Sequence, residues 1–309
     1  MGYGQPERTH DMTATLIDGT SIAAEVRSEV GEVVTEMRSK HGIAPGLAVV
    51  LIGDDPASAV YVRMKERAAI EAGMVSETIM LPADTSQDDA LAVVQRLNED
   101  ARYHGILVQL PLPDQIDEDT VIQSINPDKD VDGLHPFNMG LLMAGKPRFI
   151  PATPSGIQQM LLRTGNDPSG KHVVVCGRSN IVGKPIMNLL MQRQDGANAT
   201  VSVCHTRTRD LAAMTRQADI LIAAVGVPEM ITADMVSEGA VVIDVGVNRV
   251  DAPERRRGYR LVGDVDFDAV SEKAAAITPV PGGVGPMTIA MLLHNTLNAA
   301  RWSIHPDLR

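Results

Sequence analysis

The chain has 309 residues, which predicts about two domains, and its formal net charge of −11 excludes a general basic face for nucleic acid or an anionic membrane. Its 44% apolar content is that of a globular protein, and no apolar run reaches the ~20 residues needed to cross a bilayer. Two cysteines, Cys176 and Cys204, are too few for a disulfide scaffold, so we expect a reducing, cytoplasmic compartment and buried thiols without a redox role.

The chain begins with MGYGQPERTHDM, which lacks the apolar core of a signal peptide. We expect a disordered leader or an appended segment ahead of Met12. Beyond it, short apolar runs rich in β-formers alternate with helical patterns. Several runs are apolar on both faces, as strands of a parallel sheet covered by helices are.

This alternation predicts an α/β, doubly wound architecture. The predicted strands are Gly46–Ile52, Thr78–Leu81, Gly105–Leu110, His172–Cys176, Thr200–Cys204, Ile220–Val225, Val241–Val245 and Ala275–Thr278. The predicted helices are Ser21–His41, Ser86–Asn98 and Met287–Trp302. Ser86 and Asp89 have the spacing of a capping box at the start of the second helix.

Two segments rich in proline and glycine mark boundaries. In IPATPSG, Thr153 is predicted to cap a helix whose first residue is Pro154. PVPGGVGP, at 279–286, is too rich in these residues for regular structure, and the helix after it is expected to pack back on the first domain. The charge run Glu254–Arg257 is interpreted as a solvated hairpin tip rather than a site.

The stretch VVVCGRSNIVGKP is typical of a strand, a tight turn and a helix that bind a phosphate group. Gly177 allows the turn, Gly183 allows backbone to approach closely, and Pro185 suits the first turn of the helix. Free backbone N–H groups at the helix start would then face the ligand. The pattern alone is weak, because an ordinary strand-to-helix turn explains it equally well.

The residues at the end of the next strand, ATVSVC, indicate whether the chain binds NAD or NADP. An NAD-binding unit carries a carboxylate near the end of this strand for the ribose hydroxyl, whereas here no carboxylate occurs before Asp210. Arg178 beside Arg207 or Thr206 would attract a 2′-phosphate. The sequence therefore favours NADP over NAD. Asp244 lies too far along the chain to bind the ribose, although it ends a strand at the edge where ligands bind.

Several polar residues lie near the start of a predicted helix in the N-terminal half. Ser58 is predicted as its N-cap, and Tyr61 and Lys65 are four residues apart and share a face. A tyrosine at the rim of the core with a lysine extending past it is the alternative. Gln109 ends an apolar strand, where an unpaired amide is costly.

PDKDVDG places Asp130 and Asp132 in a turn that Gly133 closes. Carboxylates in a loop are often solvated turn formers. A lysine, a glutamine and an aspartate at such positions can instead line one cleft, and the residues alone leave both readings open.

Six motifs carry a resemblance to a known family. YVRMK, GILVQLPLP, NPDKDVDGLHPFNMG, PATPSG, GRSNIVGKP and PVPGGVGPMT occur in the order found in bifunctional methylenetetrahydrofolate dehydrogenase/cyclohydrolases, and the resemblance runs from about Leu16 to Trp302. It implies two α/β domains with the active site in the cleft between them. Residues 12–150 with 283–309 would form a three-layer folate domain, and residues 151–282 an NADP-binding Rossmann domain. It also implies a homodimer and no metal.

The resemblance assigns roles by position. The implied catalytic residues are Tyr61, Lys65, Gln109 and Asp132. In the family, the tyrosine stacks on folate, the glutamine lies beside the lysine, and the aspartate accepts hydrogen bonds from the pterin. The implied substrate contacts are Ser58, Tyr61, Lys65, Val108, Gln109, Leu110, Asp132, Pro281, Gly282, Gly283 and Val284. The implied cofactor contacts are Thr153, Gly177, Arg178, Ser179, Thr206, Arg207 and Val247.

The implied function is oxidation of 5,10-methylenetetrahydrofolate with NADP, followed by hydrolysis of the methenyl product to 10-formyltetrahydrofolate in one-carbon metabolism. A buried lysine fits the hydrolysis, since burial disfavours its ammonium form and lets it exchange a proton near neutral pH. One alternative is a dehydrogenase without the hydrolytic step, which the presence of Lys65 argues against. The other is a nucleotide-sensing protein without turnover, which the joint presence of Tyr61, Lys65, Gln109 and Asp132 argues against.

Overall fold

The computed structural model describes residues 14–255 and 258–305. The strands are β1 (Thr15–Leu16), β2 (Gly46–Ile52), β3 (Val75–Leu81), β4 (Gly105–Val108), β5 (His172–Cys176), β6 (Thr200–Cys204), β7 (Ile220–Ala223), β8 (Val241–Asp244), β9 (Asn248–Asp251), β10 (Tyr259–Val262) and β11 (Ala276–Ile277). The helices are α1 (Gly19–His41), α2 (Pro56–Glu71), α3 (Gln87–Glu99), α4 (Glu118–Ser124), α5 (Pro136–Met143), α6 (Ala152–Arg163), α7 (Gly183–Leu190), α8 (Leu211–Thr215), α9 (Phe267–Ser271) and α10 (Val284–Ile304).

The first sheet is parallel, with strand order β3-β2-β4. Every residue of β2 is buried, because successive side chains point to opposite faces and both faces are covered by helices. Leu47, Val49 and Leu51 pack with α1 and α10, whereas Val50 and Ile52 pack with α3. The predicted three-layer arrangement is confirmed.

The second sheet is also parallel, with strand order β1-β11-β8-β7-β5-β6, and the two-residue β1 extends its far edge. β5 lies between β6 and β7, so the chain reverses its direction of winding at β5. In such a Rossmann-type sheet, the ligand crevice opens beyond the carboxyl ends of the strands at this reversal. The predicted doubly wound architecture is confirmed. β9 and β10 form a separate antiparallel ribbon.

The last helix joins the two halves. α10 packs against both α1 and α6, and the side chain of Asn295 donates to the carbonyl oxygens of Val131 (2.8 Å) and Ile150 (2.9 Å). The rings of Phe149 and Trp302 lie 5.1 Å apart between centroids. The expectation that this helix returns to the N-terminal half is confirmed.

Two predicted caps are wrong, and one is confirmed. α2 begins at Pro56, and Asp55 caps it by accepting from the backbone N–H of Ser58 at 2.7 Å, so Ser58 is not the N-cap. α6 begins at Ala152, and the hydroxyl of Thr153 contacts the hydroxyl of Thr288 (2.9 Å) instead of capping the helix. Ser86 does cap α3, through the N–H of Asp89 at 3.1 Å.

The remaining features agree with the expectations where the chain is described. Cys176 and Cys204 are free, buried and opposite one another on neighbouring strands. The segment between β9 and β10 connects a hairpin, whereas Arg256, Arg257 and the leader expected ahead of Met12 lie outside the described residues. Over the described part of the chain, no helix combines the length and the apolar character needed to cross a membrane.

Candidate active site

A cleft of about 540 Å³ opens between the carboxyl-terminal edges of the two sheets. Its walls come from α2 and the loop after β4 on one side, from the loops after β5 and β8 on the other, and from the starts of α6 and α10. Ten of the predicted site residues line it: Ser58, Tyr61, Lys65, Val108, Gln109, Leu110, Asp132, Thr153, Val247 and Val284.

α2 presents two of these side chains on one face, because residues four apart lie one turn apart. The Nζ of Lys65 lies 4.9 Å from the centroid of the Tyr61 ring. Tyr61 donates its hydroxyl proton to the carbonyl oxygen of Gly285 at 3.2 Å, which fixes the ring against the first turn of α10. Burial raises the pKa of Tyr61 to about 12, so its hydroxyl stays protonated.

Lys65 is 5% exposed and donates from Nζ to the carboxamide oxygen of Gln109 at 2.9 Å. The nitrogen of the same carboxamide donates to the carbonyl oxygen of Leu110 at 2.7 Å. An ammonium group only donates, so the oxygen must face Lys65 and the nitrogen must face the carbonyl. Gln109 is therefore held in one orientation from both ends.

Burial lowers the pKa of Lys65, and the negative charge of Asp132 opposes this shift in part. Burial raises the pKa of Asp132, with the positive charge of Lys65 acting in the opposite direction. The cleft thus contains a lysine that releases its proton more easily than in water and a carboxylate close enough to act on it. This combination suits proton transfer near neutral pH.

The turn that carries Asp132 is held from below by Asp130, which is 1% exposed. The Asp130 carboxylate accepts from the N–H groups of Leu134 (3.1 Å) and His135 (2.9 Å) and from the side chain of Asn138 (2.7 Å). Gly133 closes the turn with a φ of 71°. The two aspartates therefore differ: Asp130 supports the loop, and Asp132 faces the cleft.

The strand, tight turn and helix that were predicted as a phosphate-binding element are present at β5 and α7. Gly177 has a φ of 124°, and a Cβ there would lie 2.2 Å from the carbonyl oxygen of Ala224. A Cβ on Gly183 would lie 2.3 Å from the carbonyl oxygen of Gly177, so backbone passes directly over backbone. The expectation of free N–H groups is wrong at Val182 and Gly183, which donate to the hydroxyl of Ser179 at 3.2 and 3.4 Å.

The two arginines and the threonine expected at the cofactor are exposed on two adjacent loops. Arg178 follows β5, and Thr206 and Arg207 follow β6, the neighbouring strand. Asp210 caps α8 through the N–H of Ala213 (2.9 Å), so its carboxylate is already engaged. This cationic crevice with a glycine turn fits a phosphorylated dinucleotide.

Three predicted substrate contacts do not line the cleft. Pro281 lies instead on a second cavity of about 650 Å³ beneath the β9–β10 ribbon. The carbonyl oxygen of Gly282 accepts from the N–H of Thr20 at 3.0 Å, and Gly283 packs against Gly19 at the start of α1. Gly282 and Gly283 therefore brace α1, and of the four predicted residues from Pro281 to Val284 only Val284 lines the cleft.

Sequence reasoning missed several residues that line the cleft. Ile181 and Val182 follow the phosphate loop, Val245 follows β8, and Thr288 lies on the first turns of α10. Ile181, Val182 and Thr288 lie inside the quoted motifs, but apolar and small side chains carry no chemical signal of their own. For Val245, its position directly after a parallel strand, where ligands bind, was the available indication.

Protein-family comparisons match both halves of the chain. Residues 17–132 match the catalytic domain of the tetrahydrofolate dehydrogenase/cyclohydrolases, and residues 151–304 match the NAD(P)-binding domain of the same family. "Bifunctional protein FolD 2" of Geobacter sulfurreducens is 58% identical over 93% of this chain and 97% of its own length. "Bifunctional protein FolD" of Salinibacter ruber is 59% identical over 93% of this chain and 96% of its own.

Solved structures give the same result. The bifunctional FolD methylenetetrahydrofolate dehydrogenase/cyclohydrolase of Campylobacter jejuni superposes with a TM-score of 0.87 at 48% identity, covering 93% of this chain and 99% of that chain. The FolD of Trypanosoma brucei, solved with NADP and an inhibitor, superposes with a TM-score of 0.90 at 41% identity, covering 94% and 98%. The chain therefore belongs to the tetrahydrofolate dehydrogenase/cyclohydrolase family and catalyses both the dehydrogenase and the cyclohydrolase reactions.

Proposed function

We propose that Tyr61, Lys65, Gln109 and Asp132 carry out both reactions on a folate bound in the cleft. The observation that supports this most strongly is the 2.9 Å contact between Lys65 and Gln109 on the cleft wall, made by a lysine that is almost fully buried. Asp132 accepts from adjacent N–H groups of the pterin, and the Tyr61 ring packs on a flat part of the folate.

For the oxidation, NADP supplies the acceptor for the hydride that leaves the methylene carbon. The residues of this chain position the two carbons: Tyr61 and Asp132 hold the folate from one side, and Val247, 59% exposed on the other wall, offers an apolar surface. Ser58, Val108, Leu110 and Val284 complete the substrate wall.

For the hydrolysis, water attacks the electrophilic methenyl carbon and must lose a proton. The amine of Lys65 takes this proton, because burial keeps its neutral form accessible, and then returns it to the ring nitrogen as the carbon–nitrogen bond breaks. Gln109 aims the amine by accepting one of its hydrogens. The second proton of the attacking water leaves the hydroxyl group as the formyl C=O bond forms and passes to solvent, so the methenyl cation and water give neutral 10-formyltetrahydrofolate and one released proton.

The cofactor is NADP, held by Gly177, Arg178, Ser179, Thr206 and Arg207, with Thr153 and Val247 at the cleft end. Arg178 and Arg207 stand on the loops after β5 and β6 and bind the 2′-phosphate, while Asp210, the first carboxylate after β6, is engaged at the start of α8. The NADP bound to the Trypanosoma brucei relative supports this choice.

The division into residues 12–150 with 283–309 and residues 151–282, the homodimer and the cytoplasmic location complete the proposal. α10 packs on both α1 and α6, and the bonds from the Asn295 side chain to the carbonyl oxygens of Val131 and Ile150 support placing the last helix with the folate-binding half. Light scattering tests the oligomer, which is expected at twice the 33.1 kDa chain mass.

Two experiments test the proposal. An absorbance assay with 5,10-methylenetetrahydrofolate should show NADPH formation together with consumption of methenyl product, and turnover with NAD should be much poorer. A crystal structure with folate and NADP bound should place the Lys65 amine within hydrogen-bonding distance of the one-carbon unit or its water. An amine far from that unit, or a phosphate loop without cofactor, would overturn the assignment.

A further inference from the structure

Two buried carboxylates lie outside the folate side of the cleft, and neither reaction uses them. Asp264 is 0% exposed and Asp244 is 3% exposed, and both lie at the carboxyl-terminal edge of the second sheet. A buried carboxylate is costly unless hydrogen bonds compensate its charge, so its partners indicate what it holds in place.

Asp264 joins two loops at the cofactor edge. One carboxylate oxygen accepts from the backbone N–H groups of Val225 (2.6 Å) and Gly226 (2.9 Å), directly after β7. The other accepts at 2.9 Å from the side chain of Asn248, the first residue of β9, where the loop after β8 ends. A Cβ on Gly246 would lie 2.1 Å from this second oxygen, so the carboxylate packs directly on backbone.

Asp244 in turn fixes Asp264. Its carboxylate accepts from the backbone N–H groups of Gly246 (3.0 Å), Asp264 (2.9 Å) and Val265 (3.0 Å). A Cβ on Gly263 would lie 1.7 Å from an Asp244 oxygen, so no side chain fits between the two segments.

The loops held in this way form part of the ligand crevice. β7 is the strand beside β5 on the far side of the reversal in winding, so Val225 and Gly226 border the crevice where a dinucleotide binds. Val245 and Val247, on either side of Gly246, line the cleft. The ladder between β7 and β8 covers Ile220–Ala223 and Val241–Asp244 and uses backbone bonds alone, so the sheet does not depend on Asp264.

We propose that Asp264 is a positioning residue for the cofactor: it holds the loops after β7 and β8 in the shape that the dinucleotide requires, and Asp244 holds Asp264. This inference rests on the cofactor seat proposed above. It assigns to the second sheet a support analogous to the one that Asp130 gives the turn of Asp132 on the folate side.

The test is Asp264→Asn, which keeps the volume and removes one acceptor. The new amide must direct its NH₂ either at the N–H groups of Val225 and Gly226 or at the NH₂ of Asn248, and both arrangements oppose donor to donor. Calorimetric titration of the cofactor-free protein should show NADP binding weakened about ten- to a hundredfold, the loss expected for a charge-assisted hydrogen bond. Hydrolysis of methenyltetrahydrofolate without cofactor should stay within about twofold of wild type, because it uses the opposite wall.

A second substitution distinguishes positioning from general damage. Asn248→Asp in the Asp264→Asn background reverses the polarity of the pair, so the NH₂ at position 264 donates to a carboxylate at position 248. Part of the NADP affinity should return, although the carboxylate at position 248 loses the bond that the Asn248 amide donates to the carbonyl oxygen of Gly263 (3.2 Å). Asp219→Asn is the control: Asp219 also accepts from a backbone N–H, that of His172 (2.8 Å), but at the opposite edge of the same sheet. Its NADP affinity should not change.

Unchanged NADP affinity in Asp264→Asn would overturn the proposal, as would a parallel loss of hydrolysis and cofactor binding. If Asp264→Asn does not fold, Asn248→Ala decides the question, since it removes only the bond to one oxygen and a bond of 3.2 Å to the carbonyl of Gly263. It should weaken NADP binding in the same direction, and wild-type affinity would refute the idea. A wild-type protein that does not bind NADP at all would instead refute the proposed cofactor seat.

Discussion

The Nζ of Lys65 lies 2.9 Å from the carboxamide oxygen of Gln109, so the buried lysine is oriented by a neutral acceptor. A carboxylate in that position would stabilise the ammonium form and hold the proton. The neutral partner fixes direction without this effect, while Asp132 supplies the only negative charge that acts on the pKa of Lys65 among the described groups. This relationship leads to two predictions about the hydrolytic step.

Lys65→Met should abolish cyclohydrolase turnover. Methionine keeps most of the buried aliphatic length but cannot exchange a proton, and the loss of a general acid–base group costs about 10²–10⁴ in rate. Hydrolysis of methenyltetrahydrofolate, followed by absorbance, measures the effect, and NADP affinity should be unchanged. Lys146→Met, at an exposed position after α5, is the control. A Lys65→Met enzyme with normal hydrolysis would refute the assigned role.

Gln109→Glu should move the pH profile of hydrolysis to higher pH. The new carboxylate stabilises the ammonium form of Lys65 and raises its pKa, so the neutral amine appears only at more alkaline pH. Gln109→Asn serves as the comparison, because it withdraws the acceptor without adding charge and should reduce the rate without an alkaline shift. If the rate of hydrolysis in both variants depends on pH as it does in wild type, the assignment of Lys65 as the proton acceptor is wrong.

Arg178→Gln should discriminate between the two dinucleotides. Loss of a charge-assisted hydrogen bond to the 2′-phosphate should weaken the binding of NADP about ten- to a hundredfold. The binding of NAD, which lacks this phosphate, should stay within about twofold of wild type. KM values for both cofactors in the dehydrogenase assay provide the measurement. Arg193→Gln is a matched control, since Arg193 is exposed just beyond the far end of α7. Equal losses with both cofactors would argue against a phosphate contact.

The sequence was sufficient for features encoded by neighbouring residues. The bounds of β2, β5 and β6 match the predicted strands, because each strand ends where a glycine or a polar turn follows it. Gly177 and Gly183 were recognisable because a turn of this shape excludes a Cβ. The resemblance to the family supplied the roles of the polar residues, which local patterns left open.

Features that depend on distant partners could not be predicted. Thr153 has the spacing of a cap, but its hydroxyl contacts Thr288, 135 residues away. Asp130 and Asp132 have equivalent places in the turn, and only the structure shows that Asp130 is buried against Asn138 while Asp132 faces the cleft. The bonds from Asp264 to Val225 likewise join loops that nothing in the local sequence connects.

Burial raises the pKa of Asp130 to about 7, with the charge of Asp132 adding to the shift and three hydrogen bonds opposing it. In the unfolded chain the value is about 3.9. Between about pH 4 and pH 7 the folded protein therefore holds more protons than the unfolded chain, so this group lowers the free energy of unfolding as the pH rises. The destabilisation caused by burying the ionised Asp130 carboxylate is absent below about pH 4 and complete above about pH 7.

Asp130→Asn should remove this pH dependence, since an amide does not titrate. Denaturant unfolding of both proteins between pH 4.5 and pH 8 gives the free energy of unfolding of wild type minus variant. This difference should fall as the pH rises, by up to ~1.4 kcal/mol per pH unit for one proton, and should level off above about pH 7. The other raised carboxylate, Asp244, with a pKa of about 6, is present in both proteins and cancels. A difference that is flat, or that rises with pH, would mean that Asp130 is already ionised across this range and that its three donors outweigh burial.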